Sequence, residues 1–313
     1  MDTPFIAWAG FFAVVIFLLV LDLGLLHRNE RDIGVRESLW LSAGYIFVSV
    51  CFGFAMYHFI GAKAGKDFFT GYLVEKSLSM DNIFVISLVF NYFAIPQRYQ
   101  HRVLFWGILG VVLLRGVMIG VGALLIEQFH SILYVFGAFL IFTGIKMLFS
   151  AGKKEADLEN NKLLSWLKRS IRVTNSLHGN KFFIYEGDST LAGRMARKAT
   201  PLFLVLIFIE LADIIFAVDS VPAVFAVTTD SFIVYSSNIF AILGLRALYF
   251  ALAAMLHRFS YLKYALALVL VFIGGKILFV PFIGVIPSTI SLAVTLVLLM
   301  GGVVVSLYKT RAP

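Results

Sequence analysis

The sequence predicts an all-α, polytopic membrane protein, and three observations predict it. Of 313 residues, 60% are hydrophobic and 14% charged, with a mean hydropathy of +0.93; soluble domains of this size do not have that composition. Apolar stretches long enough to cross roughly 30 Å of hydrocarbon recur nine times. Two of them enclose runs of acid and amide, Glu75-Lys76-Ser77-Leu78-Ser79-Met80-Asp81-Asn82 and Glu210-Leu211-Ala212-Asp213-Ile214-Ile215-Phe216-Ala217-Val218-Asp219-Ser220. Facing lipid, the acids Glu75, Asp81, Glu210, Asp213 and Asp219 would cost on the order of 10–15 kcal/mol. They are therefore expected to face protein, water or a cation.

The first stretch, 5–26, is too long for a signal-peptide core, follows Asp2 rather than basic residues, and precedes no small-residue cleavage pattern. It is expected to stay as a span. The others are 39–60, 69–93, 103–126, 131–149, 201–227, 232–255, 261–280 and 288–308. Connections after odd spans are basic: Arg28, Arg31 and Arg36; Arg98 and Arg102; the loop 150–200; His257 and Arg258; Lys309 and Arg311. Those after even spans carry little positive charge, the weakly basic 61–67 excepted, so the positive-inside rule puts the N-terminus in the periplasm and the C-terminus in the cytoplasm. In a soluble chain a net charge of +8 would suggest nucleic acid, but here the basic residues occupy short loops as topology demands. No nucleic-acid partner is expected; the lipid bilayer is. Cys51, the single cysteine, excludes an intrachain disulfide or a cysteine metal site.

Loop 150–200 is the sizeable polar piece. Its Lys162–Val173 run reads either as a basic amphipathic helix on the inner leaflet or as part of a solvated linker, and the loop is where a second copy or a membrane-protein partner would dock. Its central position suggests a duplication. Tyr134–Phe149 matches Tyr264–Phe279 at a constant offset of 130, with Phe142/Phe272, Gly144/Gly274 and Lys146/Lys276 among the coincidences. Arg115 aligns with Arg246 shifted by one; Glu75, Asp81 and Asn82 align with Asp213, Asp219 and Ser220. Spans three to five thus repeat as spans six to eight, and an odd number of spans inverts the second copy. The expected organisation is one membrane domain over 1–313: two spans in 5–60, repeat A at 69–149, the loop 150–200, repeat B at 201–280 and a final span at 288–308.

On a helix, Glu75, Ser79 and Asn82 share one face, Asp213 and Ser220 another, and Glu210 joins the latter at i, i+3. Asp81 and Asp219 point elsewhere, so a single site including them requires unwinding near Ser77–Ser79 and near Asp219–Pro222, where Pro222 lacks an N–H. Carboxylates, an amide oxygen and hydroxyls are hard donors suited to Mg²⁺, Ca²⁺ or Mn²⁺. Met80 either adds a thioether favouring Mn²⁺ or packs as core. Lys76, Arg115 and Arg246 are intramembrane cations expected to neutralise three of the acids, and Asp22 adds a sixth acid to the excess.

At these residues the chain resembles the TerC family of integral membrane proteins, named for tellurium resistance. The resemblance rests on the Glu75–Asn82 run, on Ala199–Ile207, on Glu210–Ala223 and on Asn238–Tyr249, and is strongest to the bacterial branch associated with alkaline induction and manganese export. It implies an inner-membrane Mn²⁺ exporter related to the lysine-exporter superfamily with its inverted three-helix repeats. It also implies a metal held by Glu75, Asp81, Asp213 and Asp219, with Asn82 and Glu210 close by; Mn²⁺ is then cargo, and no cofactor is expected. The chain carries no nucleotide-binding G-x-x-x-x-G-K and no hydrolase or metalloprotease motif, so a non-enzymatic, gradient-driven antiporter is expected. The rival readings are a proton or sodium pathway for pH homeostasis and a tellurite-type resistance factor.

Overall fold

The computed structural model describes residues 5–21, 34–129, 131–150, 173–174, 177–187, 195–253, 261–284 and 286–309. The helices are α1 (Phe5–Leu21), α2 (Val35–Phe59), α3 (Ala62–Tyr92), α4 (Gln97–Gln128), α5 (Ile132–Ser150), α6 (Pro201–Phe225), α7 (Ser231–Leu243), α8 (Leu245–Ala253), α9 (Leu262–Leu278), α10 (Val280–Ile283) and α11 (Ser288–Lys309). Two strands, β1 (Phe183–Gly187) and β2 (Met195–Ala199), form an antiparallel pair. Within the described residues each apolar stretch read from the sequence is helical, and 232–255 holds two helices, α7 and α8. Five of them, α2, α4, α5, α6 and α11, are long and apolar enough to cross a membrane, which makes the chain a helical membrane protein.

Local chemistry fixes the helix ends. Pro201 opens α6 at a position whose N–H is not needed. The Asp230 carboxylate caps α7 by accepting from the amides of Phe232 at 2.9 Å and Ile233 at 3.3 Å. Gly61, at φ 138°, makes the sharp reversal between α2 and α3 that a side chain would resist.

Burial is graded across the bundle. Leu243 and the seven residues before it, from Ser236, are all buried, so α7 is enclosed on every side. The outer helices instead expose apolar side chains, among them Phe17 on α1, Trp40 and Phe47 on α2, Phe142 on α5 and Val297 on α11. A water-facing surface would not carry that pattern; lipid accepts it.

α5 and α9 pack antiparallel through glycine. A Cβ on Gly274 would come within 2.5 Å of the Gly137 carbonyl oxygen, and one on Gly144 within 2.7 Å of the Ala267 carbonyl oxygen. Adding the sequence offset of 130 to the pair 144/267 and subtracting it from the second member gives 274/137. The two contacts are thus the same contact seen from either helix.

Three features differ from the sequence reading. α3 runs unbroken through Ser77–Ser79, and α6 runs through Pro222 to its last turn, where the amide of Ala226 reaches the Pro222 carbonyl at 2.9 Å. The interruption falls instead at Gly244, between α7 and α8. Within the 150–200 loop the described residues form the β1–β2 hairpin, held to the helices by Arg102 over the Phe182 ring at 5.1 Å and by Phe183 against Phe203 at 4.4 Å. Asp22 and most of the Lys162–Val173 run lie outside the described residues.

The glycine seam is testable. Gly274→Ala forces backbone apart and is expected to destabilise by about 1–3 kcal/mol, lowering the unfolding midpoint of the purified protein by several degrees. Gly275→Ala, whose Cβ meets open space, is expected to leave the midpoint unchanged or raise it; equal behaviour of the two variants would refute the account.

Candidate cation site

Arg115, on α4, is 1% exposed and the largest fully buried side chain described. Its planar fork engages Asp213 on α6 through both Nε, 3.1 Å from Oδ2, and Nη2, 3.0 Å from Oδ1. That bidentate pairing is the geometry in which a guanidinium holds a carboxylate best. Nη1 meets three oxygens: Glu75 Oε1 on α3 at 2.5 Å, Asn238 Oδ1 on α7 at 2.7 Å and Ser220 Oγ on α6 at 2.9 Å. Two N–H groups divided among three acceptors make at least one of these bonds shared. One side chain therefore ties four helices together.

The surrounding polar groups are oriented by their own bonds. Asn238 Nδ2 donates to the Val234 carbonyl at 3.0 Å, which turns its amide oxygen toward Arg115. Asn82 Nδ2 donates to Asp213 Oδ1 at 3.3 Å. The predicted stripe is real: Glu75, Ser79 and Asn82 are all buried, as are Asp213 and Ser220. Among the described residues Glu75 Oε2, Ser79 Oγ, Asn82 Oδ1 and Glu210 Oε2 are buried without a hydrogen-bond partner. An acceptor left unpaired away from water costs about 1–3 kcal/mol, so the site holds an excess of oxygen over donors.

Glu210 lies one turn from Asp213 and rests on α4, where Gly110 leaves a notch; a Cβ on Gly110 would overlap the carboxylate. Asp219 lies apart from Arg115. It is half-buried and takes a long hydrogen bond from Thr143 on α5, at 3.5 Å. The side chains of Met80, Asp81 and Arg246 lie outside the described residues. Among the described residues, no three acids, histidines or cysteines gather as a metal-binding group. The Arg115 guanidinium occupies the position between Glu75 and Asp213.

A cavity of about 40 Å³ adjoins the cluster, with Asn82, Asp213, Gly107, Ala212, Leu245 and Tyr249 in its wall. By volume it holds about two or three waters. It extends toward the Arg98–Arg102 end of the bundle, where Tyr249 donates to Gln100 Oε1 at 3.1 Å and Gln100 Nε2 donates to the Ile95 carbonyl at 2.8 Å. Beyond Arg115 the packing is closer. There a Cβ on Gly122 would meet the Phe225 ring at 2.7 Å, and one on Gly71 would meet Ser237 Oγ at 2.9 Å. Sequence reasoning found Arg115 and the acids but missed Asn238 as a site residue. An amide enclosed in the apolar span 232–255 was the available signal.

Comparison with known proteins agrees with this architecture. Residues 60–313 match the model of the integral membrane protein TerC family. The chain is 46% identical over 303 residues to an uncharacterized membrane protein of Rickettsia bellii, covering 97% of each chain. It is 47% identical over 304 residues to one of Myxococcus xanthus, covering 97% of this chain and 92% of that protein. It is also 45% identical over 301 residues to the putative membrane-bound redox modulator Alx of Escherichia coli, covering 93% and 91%. No solved structure matches. With the family model spanning most of the chain and relatives matched nearly end to end, the protein belongs to the TerC family of integral membrane proteins.

Proposed function

We propose that the protein is a manganese(II) exporter of a bacterial inner membrane, moving Mn²⁺ from cytoplasm to periplasm by alternating access and coupled to an ion gradient. The observation that carries this reading is the Arg115 cluster: a buried cation shared by Glu75 and Asp213, surrounded by hard oxygens that lack donors. An incoming divalent cation supplies what those oxygens lack. It replaces the charge of the guanidinium at Asp213 and draws on Asn82 Oδ1, Ser79 Oγ and Glu75 Oε2; when it leaves, Arg115 returns. The cavity at Asn82 and Asp213 gives it an entry on the Arg98–Arg102 side, which the positive-inside rule makes cytoplasmic. Asp81 completes the ligand set in this reading, Asp219 and Glu210 flank it as further carboxylates, and Arg246 serves the second half as Arg115 serves the first.

The reciprocal contact between α5 and α9 supports two inverted three-helix halves within nine spans, since a two-fold axis in the membrane plane generates that pairing. The redox name borne by the Escherichia coli relative fits as a downstream effect. A chain with one cysteine, Cys51, cannot form an internal disulfide, whereas a change in cellular manganese alters redox balance indirectly.

The reading is tested by total cellular manganese, measured by elemental mass spectrometry in exporter-deficient cells under manganese stress. Wild type is expected to lower it; Glu75→Gln, Asp81→Asn and Asp213→Asn are expected not to, at equal membrane abundance. Normal export by all three variants would overturn the site, and no effect of wild type would overturn the function. In vitro, Arg115→Met leaves two buried carboxylates without their counter-charge, at a cost of about 3–5 kcal/mol. Its unfolding midpoint is expected to fall by several degrees and to recover with added Mn²⁺ more than wild type gains; a variant unresponsive to Mn²⁺ would contradict the exchange of guanidinium for metal.

A further inference from the structure

The α7–α8 interruption lies within one span, 231–253, and nothing in the acidic cluster explains it. α7 ends at Leu243, Gly244 turns with its amide bonded back to the Ile242 carbonyl, and α8 resumes at Leu245. A helix that stops at this depth presents last-turn carbonyls with partial negative charge, which call for a donor or a cation. One of them, the Ala241 carbonyl, accepts a hydrogen bond from Lys76 Nζ of α3 at 3.0 Å. Gly244 makes the approach possible, because a Cβ there would come 2.9 Å from that nitrogen and 3.2 Å from the Tyr45 Cβ of α2. Glu75, next in sequence, is turned to Arg115, and among the described residues no carboxylate pairs with Lys76. A costly intramembrane charge thus ends on a helix terminus rather than on an acid.

The terminus is joined to the site on both sides. Asn238, on α7, accepts from Arg115; Leu245 and Tyr249, on α8, wall the cavity. In transporters with discontinuous helices, half-helix C-termini and unwound carbonyls hold the coupling Na⁺. We infer that Lys76 is a built-in monovalent cation: its ammonium occupies, at the α7–α8 break, the place of a bound Na⁺, so the protein works without Na⁺. This inference rests on the reading of the chain as a transporter. Lys76 is a positioning residue that holds the break, and through it Asn238 and the cavity wall, in place.

The test compares wild type, Lys76→Met and Gly244→Ala as purified full-length protein in NaCl and in choline chloride. The first readout is Mn²⁺ flux into liposomes loaded with a metal-quenched fluorophore; the second is the thermal unfolding midpoint in detergent. Wild type is expected to be indifferent to the monovalent cation in both. Lys76→Met is expected to be slow and less stable in choline, with flux restored several-fold and the midpoint raised by several degrees in Na⁺. Gly244→Ala pushes the flexible ammonium off its carbonyl and is expected to show the same Na⁺ response in smaller measure; it carries the test if Lys76→Met does not fold in either salt. Na⁺-dependent wild type, variants blind to Na⁺, or recovery of the Lys76→Met unfolding midpoint by Glu75→Gln, which would make Lys76 a counter-charge for that acid, each overturn the inference. If wild type moves no Mn²⁺ while Na⁺ still selectively stabilises the variants, the exporter reading fails and the built-in cation stands.

Discussion

The structure depends on the buried guanidinium of Arg115. Arg115 has five donors and no acceptor, and α4 delivers it to a level in the bundle where α3, α6 and α7 all present oxygen. Burying a charge is unfavourable unless its partners are complete, so the register of four helices is fixed by the need to satisfy one side chain. The apolar contacts around it are individually interchangeable; this polar arrangement is not. In the exchange proposed above, a divalent ion would replace the guanidinium by offering more charge in less volume to the same oxygens.

The helices around this centre divide into two kinds. α7, enclosed on every side, can carry Asn238 and a mid-span interruption because its freed backbone groups face protein rather than lipid. The outer helices face lipid with phenylalanine and tryptophan and carry little of the site. Glycine marks the places where a polar side chain must approach closely: Gly110 makes room for the Glu210 carboxylate, and Gly244 makes room for Lys76. In each case the missing side chain on one helix is what lets a long polar one from another reach its place.

Much of this was legible in the sequence, for reasons that are local. Hydrophobic runs longer than a bilayer is thick mark helices whatever their packing, and residues spaced by three, four or seven share a face, which placed Glu75, Ser79 and Asn82 together. The intramembrane cost of Arg115 singled it out. The rest depended on tertiary context. Pro222 stays within a helix because its neighbours tolerate the lost bond, whereas Gly244 interrupts one because Lys76, 168 positions earlier in the chain, supplies a partner that no local pattern encodes. Helical spacing already turns Asp219 away from Asp213, but only the packing of α6 shows that one meets Arg115 and the other Thr143. The β1–β2 hairpin depends on pairing across a loop whose composition reads as a linker.

The α5–α9 seam has a mechanical consequence. Helices that interlock by large side chains are held in register, since sliding must lift each knob out of its hole. At Gly137, Gly144 and Gly274 the backbones touch, and the side chains of Ile277, Val271 and Ile141 fill the notches that the glycines leave. Such a contact resists separation, because close approach maximises dispersion attraction, and resists sliding, because each side chain would have to leave its notch. It behaves as a clasp, so that a movement of either helix carries its counterpart with it.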